Sequence, residues 1–316
     1  MKLSSYLLGT ICFGLFLVIV TACQVGQRTN SDDNRLKVVA TTTIVGDVVK
    51  QLGGDRIELS ILLPTGTDPH GFQPAPRDLA NISEADLIFA NGAGLEEFLQ
   101  PLIENSGGKA PIISVSDGID LLEPGEIHQA DESTAKTGEH SNGDPHTWFD
   151  PNNVKIWVQN IEKALVEADP AGRLVFTENA QSYTQQLEEL DSWIQSQVEK
   201  LTPEQRLLVT DHTSFTYFAD RYGFEQVGAV IPAYSTLAAP SAQELASLED
   251  AIRRLAVKAV FVGEAVNSSL VEQLAQDTGV RLVHLYNGSL SEPDGPAATY
   301  IDFMRYDVQA IVEALK

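Results

Sequence analysis

Short apolar strands alternate with helices along most of this chain of 316 residues, and the alternation occurs in two separate series. The first series starts at residues 36–42 and the second at residues 207–211, and most of its strands are nearly continuous in apolar residues. Such strands, alternating with helices, are typical of parallel sheets that helices cover on both faces. We therefore predict an α/β fold with two βα lobes, each built on a parallel sheet.

A long helical pattern separates the two series. After Pro151 we predict a helix to residue 167, a break at Asp169-Pro170, and a second helix over residues 171–201. The apolar residues of the second helix recur mostly every three or four positions and are Phe176, Tyr183, Leu187, Leu190, Trp193, Ile194 and Val198. We predict an N-terminal lobe at 35–170, a connecting helix at 171–201 and a C-terminal lobe at 202–316.

The first 22 residues have the pattern of a lipoprotein signal peptide. Lys2 precedes an apolar run over residues 7–20, which is too short for a comfortable transmembrane helix. The ending Thr21-Ala22-Cys23 resembles a bacterial lipobox, in which the cysteine is diacylated; an ordinary signal peptide with a coincidental cysteine is the alternative. We predict lipidation at Cys23, a flexible tether over residues 23–34, and a lipid anchor on the outer face of the cytoplasmic membrane or in the periplasm.

The balance of charges restricts the possible partners. The formal net charge of -23 argues against nucleic acid and disfavours direct contact with anionic lipid headgroups. We therefore expect no nucleic-acid partner, and contact with the membrane through the lipid anchor only. We also expect a monomer.

Two Asp-Pro-His triplets, at residues 68–70 and 144–146, present His70 and His146 on stiff loops. A third histidine, His212, directly follows a predicted strand of the second series. Ligand sites in open parallel sheets form at the carboxyl ends of the strands, and neutral imidazole is the commonest ligand of borderline divalent metals. One such histidine alone would be an ordinary histidine with its hydrogen bonds satisfied. Three of them predict a metal site in the cleft between the lobes.

A long segment over residues 117–144 interrupts the first series. It has little apolar periodicity and contains His128 and His140 among acidic and small polar residues. A loop of this length is usually functional or disordered. Weak capture of divalent metal and a plain solvated insertion both remain open for it.

Four stretches together resemble a known family; they are ATTTIVGDVV at 40–49, LPTGTDPH at 63–70, DPHTWFDP at 144–151 and TYIDFMRY at 299–306. The chain resembles the zinc- and manganese-binding lipoproteins of bacterial ABC importers. The resemblance implies two lobes bridged by one helix, a metal ion clamped between them, and delivery of that ion to a membrane permease. It also implies that His70 and His146 are ligands, and that His212 occupies the third position, which the family fills with His or Glu.

The fourth ligand position departs from the family pattern. Gly288 stands where the family usually has an aspartate, and Gly263 stands where it usually has a glutamate, with Glu264 next along the chain. We predict Glu264 as the fourth ligand, with Asp294 as the second candidate and a water as the third.

The ligand types favour zinc. Three imidazoles and one oxygen match tetrahedral zinc, whereas manganese prefers more oxygen ligands. A manganese-specific carrier is the alternative, and copper or nickel stays open because raw affinity does not select the physiological metal. Binding is expected to weaken as the pH falls through the ordinary histidine range near ~6.5.

Two other function classes are alternatives to metal capture. A zinc-dependent hydrolase could use an open fourth coordination position to activate water. The sequence has no evident general base and no signature of a substrate pocket, so we predict a protein that is not an enzyme. A surface adhesin that uses the lipid anchor and a structural metal is a possible secondary role.

Overall fold

Two parallel sheets of four strands each form the centre of the chain, which a computed structural model describes over residues 35–122 and 143–316. The strands in this part of the chain are β1 (Leu36–Ala40), β2 (Ile57–Ile61), β3 (Leu87–Ala90), β4 (Ile112–Ser114), β5 (Leu207–His212), β6 (Glu225–Ile231), β7 (Ala259–Gly263) and β8 (Arg281–Leu285). The α-helices are α1 (Thr43–Gly53), α2 (Pro76–Glu84), α3 (Leu99–Ser106), α4 (Pro151–Ala168), α5 (Arg173–Val198), α6 (Thr216–Tyr222), α7 (Ala242–Leu255), α8 (Ser269–Thr278) and α9 (Tyr300–Leu315).

The two sheets have the same topology. The first has the strand order β2-β1-β3-β4 and the second has the order β6-β5-β7-β8, with every pairing parallel. In each sheet the chain moves to one side of its first strand and then crosses to the other side. Crevices at such a reversal of strand order are where open α/β sheets bind ligands. The predicted fold of two similar parallel sheets is confirmed.

The long helix α5 lies between the two series, as expected, and contains 26 residues. One face is buried along its whole length and consists of Phe176, Ala180, Tyr183, Leu187, Leu190, Ile194 and Val198. This face packs against α1 and α4 from the first series and against α9 from the second. The helix is therefore a common support for both series.

Helix α3 begins at Leu99, whereas the sequence pattern predicts a helix from residue 95. The reason is Glu96, whose carboxylate accepts the N–H groups of Asn91 at 2.7 Å and Gly92 at 3.0 Å. The hydroxyl of Thr41 also donates to this carboxylate, at 2.6 Å. These bonds turn the chain back towards the end of β1 before the helix can start.

Apolar packing runs through both series. The largest buried cluster includes Val38 of β1, Trp157 of α4 and Phe303 of α9, and Arg35–Lys316 forms one compact unit. The boundaries of the N-terminal lobe at 35–170, the connecting helix at 171–201 and the C-terminal lobe at 202–316 stay predictions. Among the described helices, none combines the length and apolar composition needed to cross a membrane.

Three sequence-based predictions lie outside the described residues. They are the signal peptide at 1–22, the lipidated Cys23 with its tether to residue 34, and the His128/His140 segment.

Candidate metal centre

Three imidazoles from distant parts of the chain lie together near the carboxyl ends of the strands. The Nε2 atoms of His70 and His146 are 3.2 Å apart, and those of His146 and His212 are also 3.2 Å apart. Each histidine offers one ring nitrogen to a group whose atoms all lie within 4.8 Å of one another. The structure thus brings together the three histidines that the sequence predicts as metal ligands.

His70 lies on the loop that follows β2. Its backbone N–H donates to Oδ1 of Asp68 at 3.0 Å, which fixes the turn that Pro69 begins. The other carboxylate oxygen of Asp68 accepts the hydroxyl of Thr236, from the loop after β6. The first histidine is therefore held by contacts to both series.

His146 is buried, with 1% of its surface exposed. One oxygen of Asp144 accepts both its backbone N–H, at 2.8 Å, and its ring Nδ1–H, at 2.7 Å. A carboxylate that accepts from Nδ1 leaves the lone pair on Nε2, which is the atom that faces the other two histidines. The hydroxyl of Tyr217 donates to the carbonyl of Asp144 at 2.8 Å and so supports this turn from the second series.

His212 is the last residue of β5, the strand at which the order of the second sheet reverses. Oδ1 of Asp211 accepts its backbone N–H at 2.6 Å and its Nδ1–H at 2.9 Å. Oδ2 of Asp211 accepts the N–H of Gly263 at the end of β7, at 2.7 Å. The second sheet itself therefore orients this imidazole and selects the same tautomer as in His146.

Burial opposes protonation of His70 and His146. Desolvation, with the positive charges that His146 and His212 would carry, lowers the pKa of His70 to about 3. Burial also lowers the pKa of His146 well below its usual value. Proton competition at His70 and His146 is therefore expected in more acidic solution than the ordinary histidine range near ~6.5.

The two orienting carboxyl groups differ in charge. Burial raises the pKa of Asp144 to about 7. Burial also opposes ionisation of Asp211, but the charge and N–H groups of His212 and the N–H of Gly263 hold its pKa below the usual value. The strongest negative charge beside the imidazoles is therefore that of Asp211.

A family model described as zinc-uptake complex component A, periplasmic (ZnuA) matches residues 38–314. The chain belongs to the ZnuA family. The family consists of metal-binding, solute-binding proteins of ABC transporters, which act outside the cytoplasm and are not enzymes. The resemblance, the extracytoplasmic location and the non-enzymatic role are confirmed, and the hydrolase alternative has no support.

Relatives within the ZnuA family have different metals in their names. The chain is 33% identical over 312 residues to the manganese-binding lipoprotein MntA of Halalkalibacterium halodurans, covering 96% of this chain and 98% of MntA. The periplasmic zinc binding protein TroA of Treponema pallidum has a TM-score of 0.77 and 27% identity over 88% of this chain and 98% of TroA. A manganese-bound periplasmic metal binding protein from Candidatus Liberibacter asiaticus has a TM-score of 0.76 and 29% identity, covering 88% of this chain and 99% of that protein.

The two carboxylates predicted for the fourth position, Glu264 and Asp294, lie outside the group of three histidines. The side chain of Glu264 is exposed, and its Oε1 lies 3.7 Å from Nδ1 of His284 on the neighbouring strand β8. Asp294 is exposed in the loop before α9. The structure brings neither carboxylate into the histidine group, so the prediction of Glu264 gains no support.

The two aspartates that orient the rings, Asp144 and Asp211, were not among the site residues predicted from the sequence. The sequence does contain a signal for this role, because Asp144 stands two residues before His146 and Asp211 stands one residue before His212. The triplet at 68–70 has the same letters as the triplet at 144–146, yet the contacts described for Asp68 are with the backbone of His70 and with Thr236. Only side-chain geometry separates these two uses of one motif.

Proposed function

We propose that this protein captures zinc outside the cytoplasm, in preference to manganese, and delivers it to the membrane permease of an ABC importer. The capture of a divalent metal for ABC import follows from the family. The preference for zinc is supported mainly by one observation. The ligand group consists of three imidazoles and contains no carboxylate.

The spacing of the ring nitrogens supports a tetrahedral site. With Zn–N distances near ~2.1 Å, two ligands of a tetrahedron lie about 3.4 Å apart. The Nε2 atoms here are 3.2 Å apart in both measured pairs. Only a small outward adjustment of the rings would therefore be needed to hold the ion.

Capture then proceeds by exchange of ligands. The three rings replace water molecules of the hydrated ion, and Asp144 and Asp211 keep the Nε2 lone pairs of His146 and His212 directed at it. Because the ligands come from both series, the bound ion links them, and a permease can distinguish the loaded form from the empty one. We propose that the protein does this as a monomer.

Manganese is the second candidate, and the names of the relatives support it better than they support zinc. MntA is described as manganese-binding and is 33% identical to this chain. Manganese would need additional oxygen ligands, which at this site would have to be water or a rearranged carboxylate.

The decisive experiment is a competition titration of metal-free protein with zinc and manganese against a chelator of known affinity. We expect one zinc per chain and at least about 100-fold tighter binding of zinc than of manganese. His146→Ala is expected to weaken zinc binding by more than about 100-fold, because even a partner that only supports a ligand is worth about 10–100-fold.

His284→Ala is the matched control, because His284 is half-exposed and lies outside the cluster. It is expected to leave zinc affinity unchanged, as is Glu264→Gln. Tighter binding of manganese than of zinc would replace the proposal with its alternative. Equal weakening by His146→Ala and His284→Ala would overturn the assignment of the site.

A further inference from the structure

The cavity beside the three histidines has few side-chain oxygens. Of the other residues that line it, only Asp68 and Asn287 carry one. Both oxygens of Asp68 already accept hydrogen bonds, one from the N–H of His70 and one from the hydroxyl of Thr236. Asn287 is therefore the lining residue whose side-chain oxygen is not already used by these hydrogen bonds.

Asn287 is 4% exposed and is held on two sides. Its Nδ2 donates to Oγ of Ser214 at 2.9 Å, and its carbonyl accepts Nε1–H of Trp148 at 3.1 Å. Its Oδ1 is buried and has no hydrogen-bond partner in the described part of the chain. A buried acceptor without a partner costs stability, and Asn287 lines the cavity, so a water molecule bound there would satisfy this acceptor.

The two positions where the family places an oxygen ligand are closed by packing. A Cβ added at Gly288 would lie 2.7 Å from Cδ of Pro69, the residue before His70. A Cβ added at Gly263 would lie 2.9 Å from Cβ of Asn287 and 3.3 Å from Oδ2 of Asp211. Side chains at 263 and 288 would therefore collide with the loops that position the histidines and Asn287.

We propose that Asn287 determines the metal preference of the site, its Oδ1 accepting a hydrogen bond from a water molecule that is the fourth ligand of the ion. The inference rests on the proposed capture of metal by the three histidines. Three imidazoles and one water form a neutral set of ligands. A neutral set disfavours manganese, which prefers carboxylate and other oxygen ligands, and suits zinc.

The test uses two substitutions of similar size at this position. Asn287→Leu removes the acceptor and is expected to weaken zinc binding about 10-fold or more, in the range found when partners of metal ligands are removed. Asn287→Asp supplies an anionic oxygen at the same place and is expected to lower the ratio of zinc affinity to manganese affinity at least about 10-fold. Asn105→Leu, at an exposed asparagine of α3, is the control.

Cobalt(II) gives a second measurement that does not depend on affinity. Its visible absorption bands report the ligands around the ion, so they should shift in Asn287→Asp and stay unchanged in Asn105→Leu. Thermal unfolding of the metal-free variants distinguishes a structural role of Asn287 from a role in metal preference. If Asn287 only joined Ser214 to Trp148, its substitution would lower the Tm without changing the ratio of zinc affinity to manganese affinity. If Asn287→Leu does not fold, Asn287→Asp alone decides between the two outcomes.

An unchanged ratio, within twofold, together with unchanged cobalt bands in Asn287→Asp would overturn this inference. The proposed capture of metal would survive that result as long as His146→Ala abolishes binding. Conversely, a wild-type protein that binds neither zinc nor manganese would remove the proposed function, and this inference with it.

Discussion

His146 and His212 are each oriented by an aspartate that lies one or two residues earlier in the chain. In both cases a single carboxylate oxygen accepts the backbone N–H and the ring Nδ1–H of the same histidine. The ring is thereby fixed relative to its own backbone, and its remaining lone pair points in one direction. The protein's own hydrogen bonds therefore order these two rings, which lowers the entropic cost of binding an ion.

Another buried carboxyl group lies away from the metal centre. Asp307 of α9 is 2% exposed, and its Oδ1 accepts the N–H of Tyr286 at 2.9 Å. Burial raises its pKa well above the usual value, so the folded protein keeps this group protonated at pH values where the unfolded chain releases the proton. Because the unfolded state then binds fewer protons, Asp307 reduces stability increasingly as the pH rises above about 4.

Asp307→Asn should reverse this effect. An amide preserves the acceptor for Tyr286 and is neutral at every pH, so the free energy of unfolding of the variant relative to wild type should be higher at pH 7.5 than at pH 4, by at least about 1 kcal/mol. Urea denaturation of metal-free protein across this range would measure it, with the exposed Asp220→Asn as a control that shows no such trend.

Helix α5 shows how far regular periodicity can be used for prediction. Its apolar residues repeat every three or four positions, and that pattern predicts the presence of the helix and most of its buried face, although the helix is shorter than the predicted 171–201. The start of α3 is different, because it depends on the three hydrogen bonds that the carboxylate of Glu96 accepts from other segments. Local sequence patterns predict well that a helix or strand is present. They do not predict where it begins when that residue is set by hydrogen bonds to distant segments.

Shortening one side chain on the buried face of α5 tests whether this helix supports both series. Leu187 is fully buried on this face. Leu187→Ala is expected to lower the free energy of unfolding by about 2–5 kcal/mol, because the lost contacts leave a cavity between helices that close only partly around it. Chemical denaturation would measure this change, and the neighbouring, exposed Gln186→Ala should stay within about 0.5 kcal/mol of wild type.

The same limit applies to the candidate site. The three histidines could be predicted because each follows a strand or a proline-stiffened turn. The position of Glu264 could not, since its side chain is directed to His284 instead of to the cluster. The burial of Asn287 beside the histidines could not be predicted either, because its hydrogen-bond partners, Ser214 and Trp148, lie far from it in the chain.

Across the whole molecule, polar contacts join the two series around the metal centre. Oγ of Ser289 accepts the N–H of Gly66 at 2.9 Å, and Oγ1 of Thr43 accepts the N–H of Leu290 at 2.9 Å. The link between Thr236 and Asp68 lies beside His70. Loading of the ion is therefore expected to stabilise contacts that already exist, and not to assemble them.

Hydrogen exchange with and without zinc tests this expectation. Free zinc at 1,000 times the Kd should add about 4 kcal/mol to the free energy of unfolding. Added protection should concentrate in the loops around residues 64–73, 143–149 and 211–216, while α5 exchanges slowly in both states. Wide exposure of α5 in the metal-free protein would contradict a small motion, and His146→Ala with zinc is the control that should show no added protection.

The separation of the three histidines along the chain has a further consequence. His146 lies 76 residues after His70, and His212 lies a further 66 residues along. An incomplete or partly unfolded polypeptide thus offers scattered imidazoles and no chelating cage. The metal ion therefore cannot direct the early steps of folding. Tight binding of the ion instead reports that the tertiary structure is complete.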